Sequence, residues 1–170
     1  MKPIPLGTGA RPDGRPASLA WAVMVLLPLA AVAAALVSQH VYDMQPCPWC
    51  VLQRVVFVAI ALVAVPALLL RSTLARRLLA GVALLLAGCG AAAALWQHFV
   101  AASSTSCNLT LADRIVSSLG LDNAWPEVFA AYASCADAAV KLAGLSYEFY
   151  SLALFIALAG LALRLLRHSA

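Results

Sequence analysis

Apolar positions in this chain fall into four long blocks separated by polar stretches, without the period-two alternation of strands. The blocks run from about Leu19 to Val37, Val51 to Leu70, Leu78 to Phe99 and Tyr147 to Leu166. Each is long enough to cross a bilayer core as an α-helix, which takes about 20 residues. Without alternating segments a β-barrel is disfavoured. The pattern predicts an all-α membrane protein, a four-transmembrane-helix bundle.

The connections are unequal. The first covers about residues 38 to 50, its polar part ending near Pro46. The second, about Arg71 to Arg77, is short enough to make the second and third helices antiparallel neighbours. The third, about residues 100 to 146, is long and predicts short amphipathic helices. Leu111, Ile115 and Leu119 recur four apart within Leu109 to Leu119, one face of a helix. "WPEVFAAYASCADAAVKLAG" reads as a second, with Val128, Ala131, Tyr132, Cys135, Ala139 and Leu142 on one face. Pro126 suits its first turn and Gly144 its end. Trp125 and Phe129 would anchor it if it lay on the membrane surface. Residues 1–18, rich in Gly and Pro with no apolar period, read as a disordered cytoplasmic tail, leaving 19–170 as one transmembrane domain. Pro28 and Pro66 fall inside helices, where membrane proteins tolerate them. Gly81, Gly88, Gly90 and the run Ala91–Ala94 read as positions where helices approach closely.

Composition agrees: 64% of the 170 residues are hydrophobic and 11% charged, too few polar groups to coat a soluble core. Charge then orients the bundle. Lys2, Arg11 and Arg15, then Arg71, Arg76 and Arg77, then Arg164 and Arg167 all fall on one side of a four-helix topology. The other side holds Asp43, Asp113, Asp122, Glu127, Asp137 and Glu148 with Arg54, Arg114 and Lys141. The positive-inside rule puts both termini in the cytoplasm. The net charge of +4 is thus topological, with no pattern for nucleic acid. The first apolar run is long for a cleaved leader ending near Ala33 or Ala35, and is read as a retained helix.

Five cysteines remain to be placed. Cys89 lies mid-helix and reads as an inert small hydrophobe. Cys47, Cys50, Cys107 and Cys135 lie in the outer segments, where oxidation is possible and three pairings can be drawn. Cys47 with Cys50 and Cys107 with Cys135 is the favoured set. Two static disulfides would satisfy it, and a four-thiol zinc site is a further alternative, weakened because the second pair lacks C-x-x-C spacing. Position argues for redox work. A C-x-x-C bridge closes almost no loop, so it contributes little stability and is more often reactive. Cys50 sits where the second helix begins, and its N-terminus favours a thiolate. Arg54, four residues on, shares that face. As a plain interfacial arginine it would snorkel; beside C-x-x-C it reads as a partner for the sulfur or for an electron acceptor. The two hairpins also echo one another: "SQHVYDMQPC" and "WQHFVAASSTSC" each read Gln-His, a short segment, then cysteine.

These residues resemble the DsbB family, bacterial inner-membrane proteins that reoxidise the periplasmic thiol oxidant DsbA. The resemblance rests on "QHVYDMQPCPWCVLQR", "WQHF", Cys107, "WPEVFAAYASCA" with Cys135, and "LAGLSYEFYSLALFIAL". It implies a thiol relay ending on a membrane quinone, ubiquinone or menaquinone, with no metal. A reduced DsbA-like partner would attack Cys107, Cys135 would attack Cys47, and Cys50 would face the quinone with Arg54. His98 matches a histidine placed near the quinone in the family; His40 is similarly positioned and weaker, and His168 reads as inert. Gln53 replaces a glutamate seen in some members, a change expected to leave the relay untouched. The alternatives are an oxidase of the same fold for a dedicated partner, or a non-catalytic membrane protein with two structural disulfides.

Overall fold

The computed structural model describes residues 15–70, 72–103, 110–138, 140–142 and 144–168. Four long helices dominate: α1 (Arg15–Tyr42), α2 (Pro48–Leu69), α3 (Thr73–Phe99) and, after the long connection, α7 (Tyr147–His168). All four are long and apolar enough to cross a membrane. Each matches an expected block, and three of the four extend into its polar flank, because an open backbone group is costly near lipid and a helix satisfies its own. The expected tail lies outside the described residues as far as residue 14; the positions from Arg15 to Ser18 already belong to α1.

Local chemistry sets the helix starts. Cys47 is extended and caps α2, its sulfur accepting the N–H of Cys50, and Pro48 takes the first turn where its missing N–H is harmless. α2 therefore begins three residues before the expected Val51. Ser72 caps α3 through the N–H of Ala75 at 3.4 Å, and Arg76 Nε donates to the Ala67 carbonyl at 3.1 Å. That bond closes the short turn between α2 and α3 and satisfies a carbonyl in the last turn of α2.

The bundle core joins Trp21 and Met24 of α1, Phe57, Ile60 and Ala64 of α2, Ala80, Ala83 and Ala87 of α3, and Phe155, Leu158 and Ala162 of α7. Phe57 and Phe155 stack with ring centroids 4.1 Å apart. Gly90 makes room for that stack: a Cβ there would overlap the Phe155 ring. Gly81 and Gly88 meet nothing within 4 Å, so of the three glycines read as packing positions only Gly90 is one. Cys89 is not buried in the bundle but faces outward from α3.

The long connection folds over the α2 N-terminus. A 3-10 turn (Ala101–Ser103) leads towards α4 (Leu111–Ser118), α5 (Leu121–Ala124) and α6 (Pro126–Phe129). The α4 start carries a capping box between Thr110 and Asp113. Ala112 and Val116 face inward, whereas Leu111, Ile115 and Leu119 form the exposed face. The second expected helix does not continue. Ala130 turns extended, and the N–H groups of Tyr132 and Ala133 donate to the Pro46 carbonyl at 3.0 and 3.3 Å. A long-range acceptor thus outweighs the helical tendency of an alanine-rich segment. Further on, β1 (Lys141–Leu142) pairs antiparallel with β2 (Leu145–Ser146). Gly144, at φ 85°, serves this hairpin and ends no helix.

Gly90→Ala should cost about 1–3 kcal/mol through its clash with Phe155, while Gly81→Ala should stay within about 0.5 kcal/mol. Denaturant unfolding in detergent compares them, and equal losses would remove Gly90 from the stacking account.

Candidate active site

Three sulfurs meet at the start of α2. Cys47 is fully buried, and its Sγ lies 2.8 Å from that of Cys50. The loop carries Cys135 against Cys47 as well, within hydrogen-bonding contact. The two bonds to the Pro46 carbonyl hold this approach, tying the strand before Cys135 to the strand before Cys47. The free N–H groups of the helix start also go to sulfur: Cys50 N donates to Cys47 Sγ at 3.4 Å, and the Trp49 N–H points at Cys135. The positive end of α2 therefore acts first on Cys47 and Cys135, rather than on Cys50 as its place in the sequence had implied.

This packing splits the thiols. Cys47 and Cys135 share a side-chain hydrogen bond, and that contact, then the one with Cys50 and burial, pushes the Cys47 thiol well above its ordinary range. The same hydrogen bond, helped by the Trp49 N–H and opposed by burial, draws Cys135 below it. Cys135 is the more acidic thiol of the two, and it touches Cys47.

On the far side of Cys50 a cleft of about 290 Å³ opens between the helices. Its walls are largely apolar, including Ala31, Ala34 and Ala35 of α1, Phe57 of α2 and Leu154 of α7. Polar groups converge at its edge: Cys50, Gln53, Arg54, Gln97, Tyr147 and Glu148. Arg54 is only 5% exposed, so it does not snorkel to the surface. Its guanidinium donates to Gln39 Oε1 at 2.7 Å, to the Val128 carbonyl at 3.0 Å and to the Ala35 carbonyl at 3.4 Å. Among the described residues no carboxylate pairs with it. Besides Cys47, the Cys50 sulfur meets Gln97, whose Nε2 lies 3.2 Å away.

The structure thus brings together Cys47, Cys50, Cys135 and Arg54. Cys107 lies outside the described residues. His98 is not on the cleft wall; its Nδ1 lies 2.7 Å from Glu148 Oε1, and Glu148, buried, is on that wall. The His98 ring also packs on Phe149 at 4.5 Å between centroids. His40 is exposed. Sequence reasoning passed over Gln39, Gln97, Tyr147 and Glu148 as site residues. For two of them a signal existed: Gln39 and Gln97 are the glutamines of the two Gln-His echoes.

The family model "Disulfide bond formation protein DsbB" matches residues 17–165. This chain belongs to the DsbB family. Among its relatives is a disulfide bond formation protein B of Herminiimonas arsenicoxydans, 33% identical over 148 residues, covering 86% of this chain and 91% of the relative. Another, from Nitrosospira multiformis, is 32% identical over 135 residues, covering 78% and 80%. A third, from Aromatoleum aromaticum, is 36% identical over 121 residues, covering 67% and 70%. No solved structure matches the chain. As a DsbB family member with four candidate spans it is a multi-pass membrane protein of disulfide bond formation, and the family's chemistry is that of a thiol oxidoreductase. Among the described residues no group of His, Cys, Asp and Glu could hold a metal ion.

The thiol split can be measured. In the reduced protein, iodoacetamide should alkylate Cys135 with a pH midpoint below the value of about 8.5 for a free cysteine. Cys47→Ala removes the hydrogen-bond partner and should raise that midpoint; an unmoved midpoint would break the link between the two sulfurs.

Proposed function

We propose that this chain reoxidises a DsbA-like periplasmic thiol oxidant and passes the electrons to a membrane quinone, so sustaining disulfide bond formation. The observation that carries the reading is the row of sulfurs at the α2 start, Cys135 on Cys47 and Cys47 on Cys50, ending at the cleft. Thiol exchange needs a thiolate in contact with the sulfur it attacks, and Cys135 against Cys47 supplies it.

In the relay, a partner thiolate attacks Cys107 of a Cys107–Cys135 disulfide and Cys135 leaves as thiolate. Cys135 attacks Cys47 of the Cys47–Cys50 disulfide, and Cys50 leaves as thiolate. The partner's second thiolate then attacks the sulfur joined to Cys107, so the partner departs as a disulfide. Cys107 attacks Cys135, restoring the loop pair and freeing Cys47. The net result is one disulfide made in the partner and one dithiol, Cys47 with Cys50, left beside the cleft.

The cleft residues fit a quinone ring. Its volume is at the lower edge of the usual range for small-molecule sites, about 300–1,000 Å³, which suits a head group whose isoprenoid tail stays in lipid. Cys50, Arg54, Gln97 and Tyr147 would hold the ring edge against the apolar wall. A bound quinone would supply a two-electron, two-proton acceptor, chemistry belonging to the cofactor. Arg54, already fixed by Gln39 and two carbonyls, places a positive charge at that edge without reorganising. The charge pattern supports an inner-membrane orientation with both termini cytoplasmic and the cysteines periplasmic.

Purified protein mixed with reduced DsbA and ubiquinone-1 should consume quinone absorbance, and Cys50→Ser should abolish this. Equal, absent turnover in both would sink the proposal. With oxidised DsbA, the free Cys107 of Cys135→Ser should attack the DsbA disulfide and accumulate a mixed disulfide on non-reducing gels, whereas Cys107→Ser should yield none; the opposite pattern would exchange the two loop roles.

A further inference from the structure

Cys50 is the sulfur that must hold negative charge once Cys135 has attacked Cys47, yet the cation expected beside it is engaged elsewhere. The Arg54 fork is directed at Gln39, Val128 and Ala35. Besides Cys47, which is consumed in the attack, a side chain of α3 reaches Cys50. Gln97 on α3 directs Nε2 at Cys50 Sγ, 3.2 Å away. Its Oε1 accepts from Gln53 Nε2 on α2 at 2.7 Å. Gln53 is 3% and Gln97 5% exposed, so bulk water does not compete for either amide.

We propose that Gln97 is the hydrogen-bond donor that stabilises the Cys50 thiolate, and that Gln53 is the positioning residue that orients it. The chemistry follows from the amide itself. A glutamine side chain carries one acceptor and one donor end. With the acceptor end of Gln97 satisfied by Gln53, its donor end faces the sulfur. Both amides then run in one direction, Gln53 to Gln97 to Cys50, and a donor aimed at sulfur favours the charged form over S–H. Gln53, expected from the sequence to be neutral in the relay, thereby sets which end of Gln97 the sulfur meets. The proposal rests on the reading of Cys50 as the electron-donating thiolate, and it needs no new reactant: Gln97 and Gln53 neither gain nor lose a proton.

The test uses full-length reduced protein in detergent, without quinone, in a Cys47→Ala background so that Cys50 stays reduced. Iodoacetamide alkylation of Cys50 is followed by mass spectrometry from about pH 5 to 9, bracketing a thiol titration. Gln97→Glu keeps the shape and replaces the donor end with an acceptor; Gln97→Met removes both ends. Either should slow Cys50 alkylation at neutral pH about tenfold, the scale of one lost hydrogen bond to a charged group, with the rate recovering at higher pH. Gln53→Met should give a smaller loss in the same direction. Unfolding midpoints of the same variants report the competing role, a plain α2 to α3 tie. Lower midpoints with an unshifted alkylation profile would overturn the proposal, as would wild-type behaviour in Gln97→Glu. Because no quinone is present, failure of the wild type to reduce ubiquinone-1 would count against the function alone and leave this result standing.

Discussion

The cysteine end of the molecule is organised by one buried charge. A guanidinium at the edge of a membrane bundle is expensive unless its donors are satisfied. Arg54 solves this by drawing two segments to itself: α1 through Gln39 and the Ala35 carbonyl, and α6 through the Val128 carbonyl. Gln39 strengthens the tie by donating to the Glu127 carbonyl at 3.4 Å. The fork shape matters, because a planar group with several donors can serve partners in different directions where an ammonium would not. The long connection is thereby pinned across the first turns of α2.

With α6 pinned, the next residues leave the helix and reach the Pro46 carbonyl, and Cys135 arrives beside Cys47. The helix start adds the rest. Pro48 frees the first turn from needing a donor, and the remaining N–H groups turn to sulfur. A polar problem, the unsatisfied end of a helix, and a chemical one, bringing Cys135 against Cys47, have the same solution. Cys50 also lines the cleft between the long helices, so the same residue borders both the loop sulfurs and the bundle.

Much of the fold was legible because lipid imposes a strong rule. Four apolar blocks can only be helices, and a turn as short as the one near Ser72 can only join antiparallel neighbours. The α4 helix was legible from its spacing, although the inward face is Ala112 and Val116 and not the leucine row. The helix expected over "WPEVFAAYASCADAAVKLAG" failed because local propensity knows nothing of a distant carbonyl at Pro46. The cysteines and Arg54 were legible as candidates because few residue types carry that chemistry. Gln39 and Gln97 were visible only as a repeated Gln-His. Glutamine has no intrinsic reactivity to flag it, and its role comes from what its two ends meet.

The sequence by itself determined the membrane environment, the number of spans, and which residues carry thiol chemistry. Those follow from composition, block length and side-chain chemistry, which need no knowledge of distant contacts. The tertiary structure decided which sulfur touches which, that Arg54 holds the loop in place of meeting Cys50 directly, and that Gln97 supplies the contact to that sulfur. These depend on segments more than 40 positions apart, Cys50 with Gln97 and Arg54 with Val128. Only packing brings such segments within hydrogen-bonding range.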